Sequence, residues 1–266
     1  MTSDTESSES PHQRFFREWP APGEAKAVVA LVHGLAEHSG RYEHVAARLN
    51  AAGYAVVAAD VQGHGRSPGW PGEVAGLDDW LADAAAIVDR AFHVADGRPV
   101  FLFGHSLGAL IAVPFVSRGG GERLAGLVLS SIAVLAGAAL LESMGDPDGQ
   151  GIPSTALSRD PEVQRSYEED PLVFADRVPP ESTAASLEAA IESYQAAPEI
   201  TLPVLVFHGS DDGIADPDGA RDFFDRLGSS DKQWELYDGL RHETMNEPEQ
   251  DRVLDNLVAW LDAHAG

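Results

Sequence analysis

Val100-Phe101-Leu102-Phe103-Gly104-His105-Ser106-Leu107-Gly108-Ala109-Leu110-Ile111-Ala112-Val113 is the stretch on which the fold turns. Its first four residues are apolar and read as a short buried strand; its last seven are apolar and read as a buried helix. Between them lies Gly-x-Ser-x-Gly. Where a strand ends abruptly and a helix begins, the residue at the corner is forced into a strained, exposed turn that flanking glycines tolerate. Ser106 therefore stands out as a candidate nucleophile. The bare pattern is weak support, because Gly65-Arg66-Ser67-Pro68-Gly69 repeats it. Ser67, however, follows no strand directly, and Pro68 and Pro71 argue against a helix after it, so it reads as a loop residue. Pro114 is expected to kink or shorten the helix that follows Ser106.

Upstream, Val28 to Val32 reads as a buried strand, residues 41–52 as a helix stopped by Gly53, and Tyr54 to Ala59 as a second strand. A loop rich in glycine and proline follows. The spacing of Leu77, Trp80, Ala84, Ile87, Val88 and Ala91 then predicts a helix. Downstream, Leu124 to Leu129 reads as a strand. The alternation breaks over residues 133–200, which hold no convincing strand, a glycine-rich piece at 145–151, and a helix with Leu187, Ile191 and Tyr194 on one face. It resumes with a strand at 202–207, a helix to Leu227, a strand at 233–237, and a last helix burying Val253, Leu254, Leu257, Val258 and Leu261. Strand–helix alternation implies a mostly parallel central sheet with helices on both faces. The expected organisation is a disordered acidic tail over residues 1–14, an α/β core over 15–132 and 201–266, and a helical cap inserted at 133–200.

A serine hydroxyl needs a base to take its proton, and histidine titrates near neutrality. A carboxylate must orient that imidazole. In sheets of this kind the order along the chain is serine, acid, histidine. The acid is expected just beyond the strand at 202–207, where Asp211 and Asp212 lie in His208-Gly209-Ser210-Asp211-Asp212; the base is expected beyond the last strand, where His242 lies. His12, His44, His93 and His264 read as ordinary surface or core residues. Negative charge on a tetrahedral intermediate needs backbone donors, assigned to the amides of Leu107 and Leu35. The spacing of His33, His38 and His44 matches no common zinc pattern and the chain has no cysteine, so neither a metal nor another cofactor is expected.

The chain has 266 residues, with 43 Asp and Glu against 18 Lys and Arg, a formal charge of −25. Such a surface repels nucleic acid and anionic lipid headgroups, so neither is an expected partner. Only Lys26 and Lys232 are lysines. The balance suits a protein kept hydrated in concentrated salt, or simply an acidic protein of a GC-rich genome. The N-terminal residues lack the basic start and apolar run of a signal peptide, which points to the cytoplasm. Residues 124–141 are uncharged and long enough to raise a membrane helix, but Gly126, Ser130, Ser131 and Gly137 favour a strand running into the cap, with no stable membrane insertion.

His33-Gly34-Leu35-Ala36-Glu37-His38-Ser39-Gly40-Arg41-Tyr42 resembles the oxyanion loop of the monoacylglycerol lipase family, also called monoglyceride lipases or lysophospholipases. Asp60-Val61-Gln62-Gly63-His64-Gly65-Arg66-Ser67 and the elbow at Gly104 to Gly108 continue the likeness. So do Leu157 to Pro161 and Tyr167 to Pro171 in the cap, then Gly209-Ser210-Asp211-Asp212 and Tyr237 to Glu243. The resemblance implies the α/β-hydrolase fold, hydrolysis of a small acyl ester through an acyl-enzyme, and Asp212 rather than Asp211 as the acid. It also implies that Glu37 and Arg41 shape the polar pocket and that Tyr167 faces the glycerol end of the substrate. His105, inside the elbow, joins the expected substrate-binding residues. A general carboxylesterase or lysophospholipase is the alternative, and a catalytically silent binding protein of the same fold is a further one. Two departures stand out. Leu35 stands where many relatives carry a smaller residue, which narrows the site beside the oxyanion hole. The cap between Ala133 and Leu157 is short and polar, with Gly145, Asp146, Asp148 and Gly149, and together with the charge of −25 it argues against action at a lipid surface.

Overall fold

Five apolar runs build the centre of the molecule. In a computed structural model, which describes residues 3–5, 14–134, 152–174 and 178–266, these runs are β3 (Ala27–Val32), β4 (Tyr54–Ala59), β5 (Val100–His105), β6 (Gly126–Ser130) and β7 (Val204–Gly209), each buried along its whole length. A strand apolar on both faces is satisfied only between two covering layers, which is the environment of a parallel sheet. The sheet order is β1-β2-β4-β3-β5-β6-β7-β8, with β1 (Ser3–Thr5), β2 (Phe16–Trp19) and β8 (Lys232–Tyr237) completing it. From β4 to β8 all neighbours are parallel; β1 and β2 run antiparallel at one edge. This is the architecture of the α/β-hydrolase fold.

Alternate residues of each strand face opposite layers. Val28, Ala30 and Val32 join a core made with α2 (Leu77–Ala95), α3 (Leu107–Phe115), α6 (Pro180–Ala196) and α7 (Pro217–Arg226). Val29 and Leu31 join a second core made with α1 (Glu43–Ala51) and α8 (Gln250–His264). Between β6 and β7 the described residues form the helices α4 (Ser154–Leu157), α5 (Pro161–Glu169) and α6, and no strand.

Several expectations need adjustment. The strand expected from residue 202 begins at Val204 and runs to Gly209. The edge strand β2 was not anticipated, and β1 lies inside the segment read as a disordered tail. His12 and the glycine-rich piece at 145–151 lie outside the described residues.

The face of α6 is a correction. Leu187 and Ile191 are 47 % and 51 % exposed. The helix instead buries its Ser182, Ala185, Ser186, Ala189, Ala190, Ser193 and Ala196 stripe. Small side chains let α6 approach α3, which is itself buried from Leu107 to Pro114. Pro114 sits in the last turn of α3, and the chain widens into a π-helical turn at Val116–Gly120 directly after it. Proline has no amide to bond the Leu110 carbonyl. The Ser193 hydroxyl of α6 donates to that carbonyl at 3.2 Å instead.

Candidate active site

The turn between β5 and α3 is as sharp as the glycines suggested. Ser106 has φ 52° and ψ −115°, a conformation that side chains other than glycine rarely adopt. A Cβ on Gly104 would lie 2.3 Å from the Gly108 oxygen, and one on Gly108 would lie 2.1 Å from the Val32 oxygen. Both glycines are demanded by close backbone approach. The other candidate, Ser67, has a structural setting: its hydroxyl donates to the Asp60 carbonyl at 2.5 Å and accepts from the Phe15 amide at 2.9 Å.

His242 and Asp212 come from the loops after β8 and β7, at the same end of the sheet as Ser106. His242 Nε2 lies 2.9 Å from Ser106 Oγ, and His242 Nδ1 lies 2.8 Å from Asp212 Oδ2. The hydroxyl, imidazole and carboxylate form one hydrogen-bonded chain. Asp211 is exposed, and its carboxylate meets only the Ser210 hydroxyl among the described side-chain contacts, at 3.2 Å. Asp212 is anchored from four directions. Its Oδ1 accepts from the amides of Ile214 (2.8 Å) and Ala215 (2.9 Å), while Oδ2 also receives His208 Nε2 at 2.9 Å. Burial disfavours its charge, but His242 and His208 outweigh this and hold its pKa well below the usual range. Burial likewise opposes the imidazolium of His242; the Asp212 carboxylate outweighs it, so the His242 pKa is raised.

The backbone holding His242 is fixed separately. Ser131, at φ 50°, donates its hydroxyl to the His242 carbonyl at 2.7 Å. At the same pocket as Ser106, the amides of Leu35 and Leu107 donate to no described protein acceptor. Leu107 N opens α3, where the helix dipole favours negative charge.

A pocket spreads from Ser106. Its lining combines the apolar Leu35, Leu110, Ile152, Leu157 and Ile214 with the polar Glu37, His105, Tyr167 and Glu243. The two glutamates belong to a buried charge network. Arg41 grips both oxygens of Glu243 (2.6 and 2.8 Å) and one of Glu37 (2.7 Å). The other Glu37 oxygen accepts from the Gly34 amide and the Tyr42 hydroxyl, each at 2.6 Å. Burial opposes charge on Glu243, yet Arg41 holds its pKa down to about 2. The Arg41 guanidinium lies 4.9 Å from the centre of the Tyr167 ring, and the Tyr167 hydroxyl is buried with no hydrogen-bond partner among the described residues. His105 bonds Ser130 through Nδ1 at 3.0 Å; burial and the adjacent His242 push its pKa down to about 4, so it is neutral at pH 7.

Every site residue anticipated from sequence thus lies at this pocket or directly behind it. His208, Glu243 and Ser131 were not anticipated. His208 and Glu243 lie inside quoted stretches; Glu243 and Ser131 meet partners distant in sequence, Arg41 and His242, whereas His208 meets Asp212 four residues on. The histidines weighed as metal ligands are otherwise engaged. His33 bonds the Gly34 carbonyl through Nδ1 (2.7 Å) and the Val61 amide through Nε2 (3.0 Å). His38 joins Gly40 N (3.1 Å) to the cap residue Asp170 (2.9 Å).

The chain matches the family described as serine aminopeptidase S33, a hydrolase family, over residues 23–249. It is 37 % identical to a monoacylglycerol lipase of Mycolicibacterium smegmatis, covering 92 % of this chain and 91 % of that one. A monoglyceride lipase of Homo sapiens is 33 % identical, with 93 % and 86 % covered. Among solved structures, the monoacylglycerol lipase of Paleococcus ferrophilus superposes with a TM-score of 0.81 at 32 % identity, covering 95 % of this chain and 99 % of that one. The chain belongs to the S33 family of α/β-hydrolase-fold serine hydrolases, and along nearly its full length it is similar to monoacylglycerol lipases.

Proposed function

We propose that the protein hydrolyses monoacylglycerols through an acyl-enzyme on Ser106. His242 takes the Ser106 proton as the hydroxyl attacks the ester carbonyl. Asp212 keeps Nδ1–H of His242 toward itself, leaving Nε2 as the acceptor, and stabilises the imidazolium that forms. The oxyanion is received by the Leu35 and Leu107 amides, each contributing about 3 kcal/mol if it acts as such donors do elsewhere. His242 then returns the proton to the leaving glycerol oxygen. Water repeats the sequence, and the fatty acid is released.

The observation that carries this reading is the Ser106–His242–Asp212 hydrogen-bonded chain, whose serine and histidine line a pocket of mixed apolar and polar side chains. The apolar side chains suit an acyl chain, and the polar ones suit a diol. A peptide substrate with a free α-ammonium is less well served, although the family carries an aminopeptidase description. Such a substrate needs an uncommitted carboxylate, whereas Glu37 and Glu243 already accept from Arg41, Gly34, Tyr42 and Asn246.

Fatty-acid release from a medium-chain 1-monoacylglycerol and from a lysophospholipid of equal chain length, compared with aniline release from an amino-acid anilide, separates the readings. The monoacylglycerol should be preferred. Higher kcat/KM on the lysophospholipid or the anilide refutes the assignment.

A further inference from the structure

Glu247 carries a carboxylate that the proposed reaction does not use, yet the residue is fully buried. Its Oε1 accepts the Arg241 amide at 2.7 Å, one residue before His242. Its Oε2 accepts both the amide (3.1 Å) and Nε (3.0 Å) of Arg159, in the cap just after α4. Around this point the two segments are joined repeatedly. The Glu243 amide donates to the Leu157 carbonyl at 2.8 Å, the Ser158 hydroxyl donates to the Asn246 carbonyl at 2.8 Å, and Arg241 Nη1 reaches the Ser158 carbonyl at 3.2 Å. Leu157 is itself a wall of the pocket. The stretch bearing the general base and the stretch bearing the pocket wall are therefore one hydrogen-bonded unit, with Glu247 at its centre.

We infer that Glu247 is a positioning residue: it clasps the cap at Arg159 to the loop at Arg241, so that one buried carboxylate sets both His242 and Leu157. The inference rests on the assignment of His242 as the base. Physically, loops are the least ordered part of a catalytic scaffold. His242 must nonetheless hold two hydrogen bonds of 2.8 and 2.9 Å at once. Ser131 restrains the loop from the sheet side. Glu247 restrains it from the cap side, where three N–H donors converge on two acceptor oxygens. An amide cannot replace this carboxylate, because a glutamine NH₂ would face one of those donors.

Four forms decide the matter: wild type, Glu247→Gln, Arg159→Met and Glu249→Gln, assayed on a short-chain p-nitrophenyl ester. Glu249 is an exposed partner of Arg159 outside the clasp, and its variant should match wild type. Glu247→Gln should lower kcat about tenfold or more, within the roughly hundredfold that small misplacements of reacting groups cost. The acid limb of its pH profile should move down, because a looser His242 feels less of Asp212. Arg159→Met keeps the backbone bond to Glu247 and should lose less, in the same direction. Glu247→Gln with kcat within about twofold of wild type and an acid limb that has not moved down overturns the inference, whatever its melting temperature. Should Glu247→Gln not fold, Arg159→Met decides by the same two readouts. An inactive wild type refutes the reading of the site and this inference with it; an active wild type matched by Glu247→Gln refutes the inference alone.

Discussion

Replacing Asp212 by Asn removes one charge and no atoms of the side-chain frame, and the structure dictates how the new amide must sit. The amides of Ile214 and Ala215 both donate to Oδ1 at 2.8 and 2.9 Å. These donors select the carbonyl oxygen of the asparagine, so its NH₂ turns to the position of Oδ2. There it meets Nδ1 of His242. To accept from that NH₂, Nδ1 must lose its proton and Nε2 must carry one. Nε2 then donates toward Ser106 and cannot take the serine proton. A wrong tautomer of this kind costs about 10⁴ in turnover in the Ser-His-Asp template, or about 5.4 kcal/mol at 1.36 kcal/mol per tenfold. The assay is kcat/KM on a soluble monoacylglycerol for wild type, Asp212→Asn and Asp211→Asn. Asp212→Asn should lose about 10⁴ and exposed Asp211→Asn less than about twofold. An Asp212→Asn enzyme within tenfold of wild type, or an Asp211→Asn enzyme as crippled as expected for Asp212, refutes the reasoning.

Three further outcomes follow from charges. Since the His242 pKa is raised, activity should fall on the acid side at a pH above the ordinary value of about 6.5. The same shift stabilises the fold fully below that ordinary value, and the contribution is lost as pH rises through the folded value; an acid limb of kcat/KM below 6.5 contradicts this. Arg41→Met leaves Glu37 and Glu243 buried together without their cation and should cost about 3–5 kcal/mol in urea unfolding, a loss under about 1 kcal/mol being the contrary result. The charge of −25 repels itself through a screening length that shrinks from about 10 Å at 0.1 M salt to 3 Å at 1 M. The melting temperature should therefore rise with sodium chloride, and indifference to salt refutes that view of the surface.

The sequence was most readable where burial is complete on both faces. Tyr54 to Ala59 has no polar residue to blur its limits, and its strand begins and ends where the apolar run does. Short edge strands carry no such signal. Phe16–Trp19 holds Arg17 and Glu18 in four residues and needs β4 beside it to become a strand. In α6 the apolar period misled. Leu187 and Ile191 share a face, but close approach to α3 required alanine and serine, whose small side chains scarcely register as hydrophobic.

The site divides the same way. Ser106, Asp212 and His242 were legible because each follows a strand whose end must face the others. Glu243 and Glu247 were not, since carboxylates in a loop read as solvated until Arg41 and Arg159 are seen to meet them. Glu37 and Arg41 came only through the likeness to a family, and the ion pair of Arg41 with Glu243 ties the loop after β3 to the loop after β8.

The central claim is a covalent intermediate on one serine out of the two that sit in the same sequence pattern. Intact-protein mass spectrometry after reaction with a medium-chain alkyl fluorophosphonate, whose fluoride leaves as the serine oxygen bonds phosphorus, followed by peptide mapping, tests it directly. The account predicts one adduct per chain, located on Ser106, absent from Ser106→Ala and retained by Ser67→Ala. Labelling that persists in Ser106→Ala, or that maps to Ser67, contradicts it.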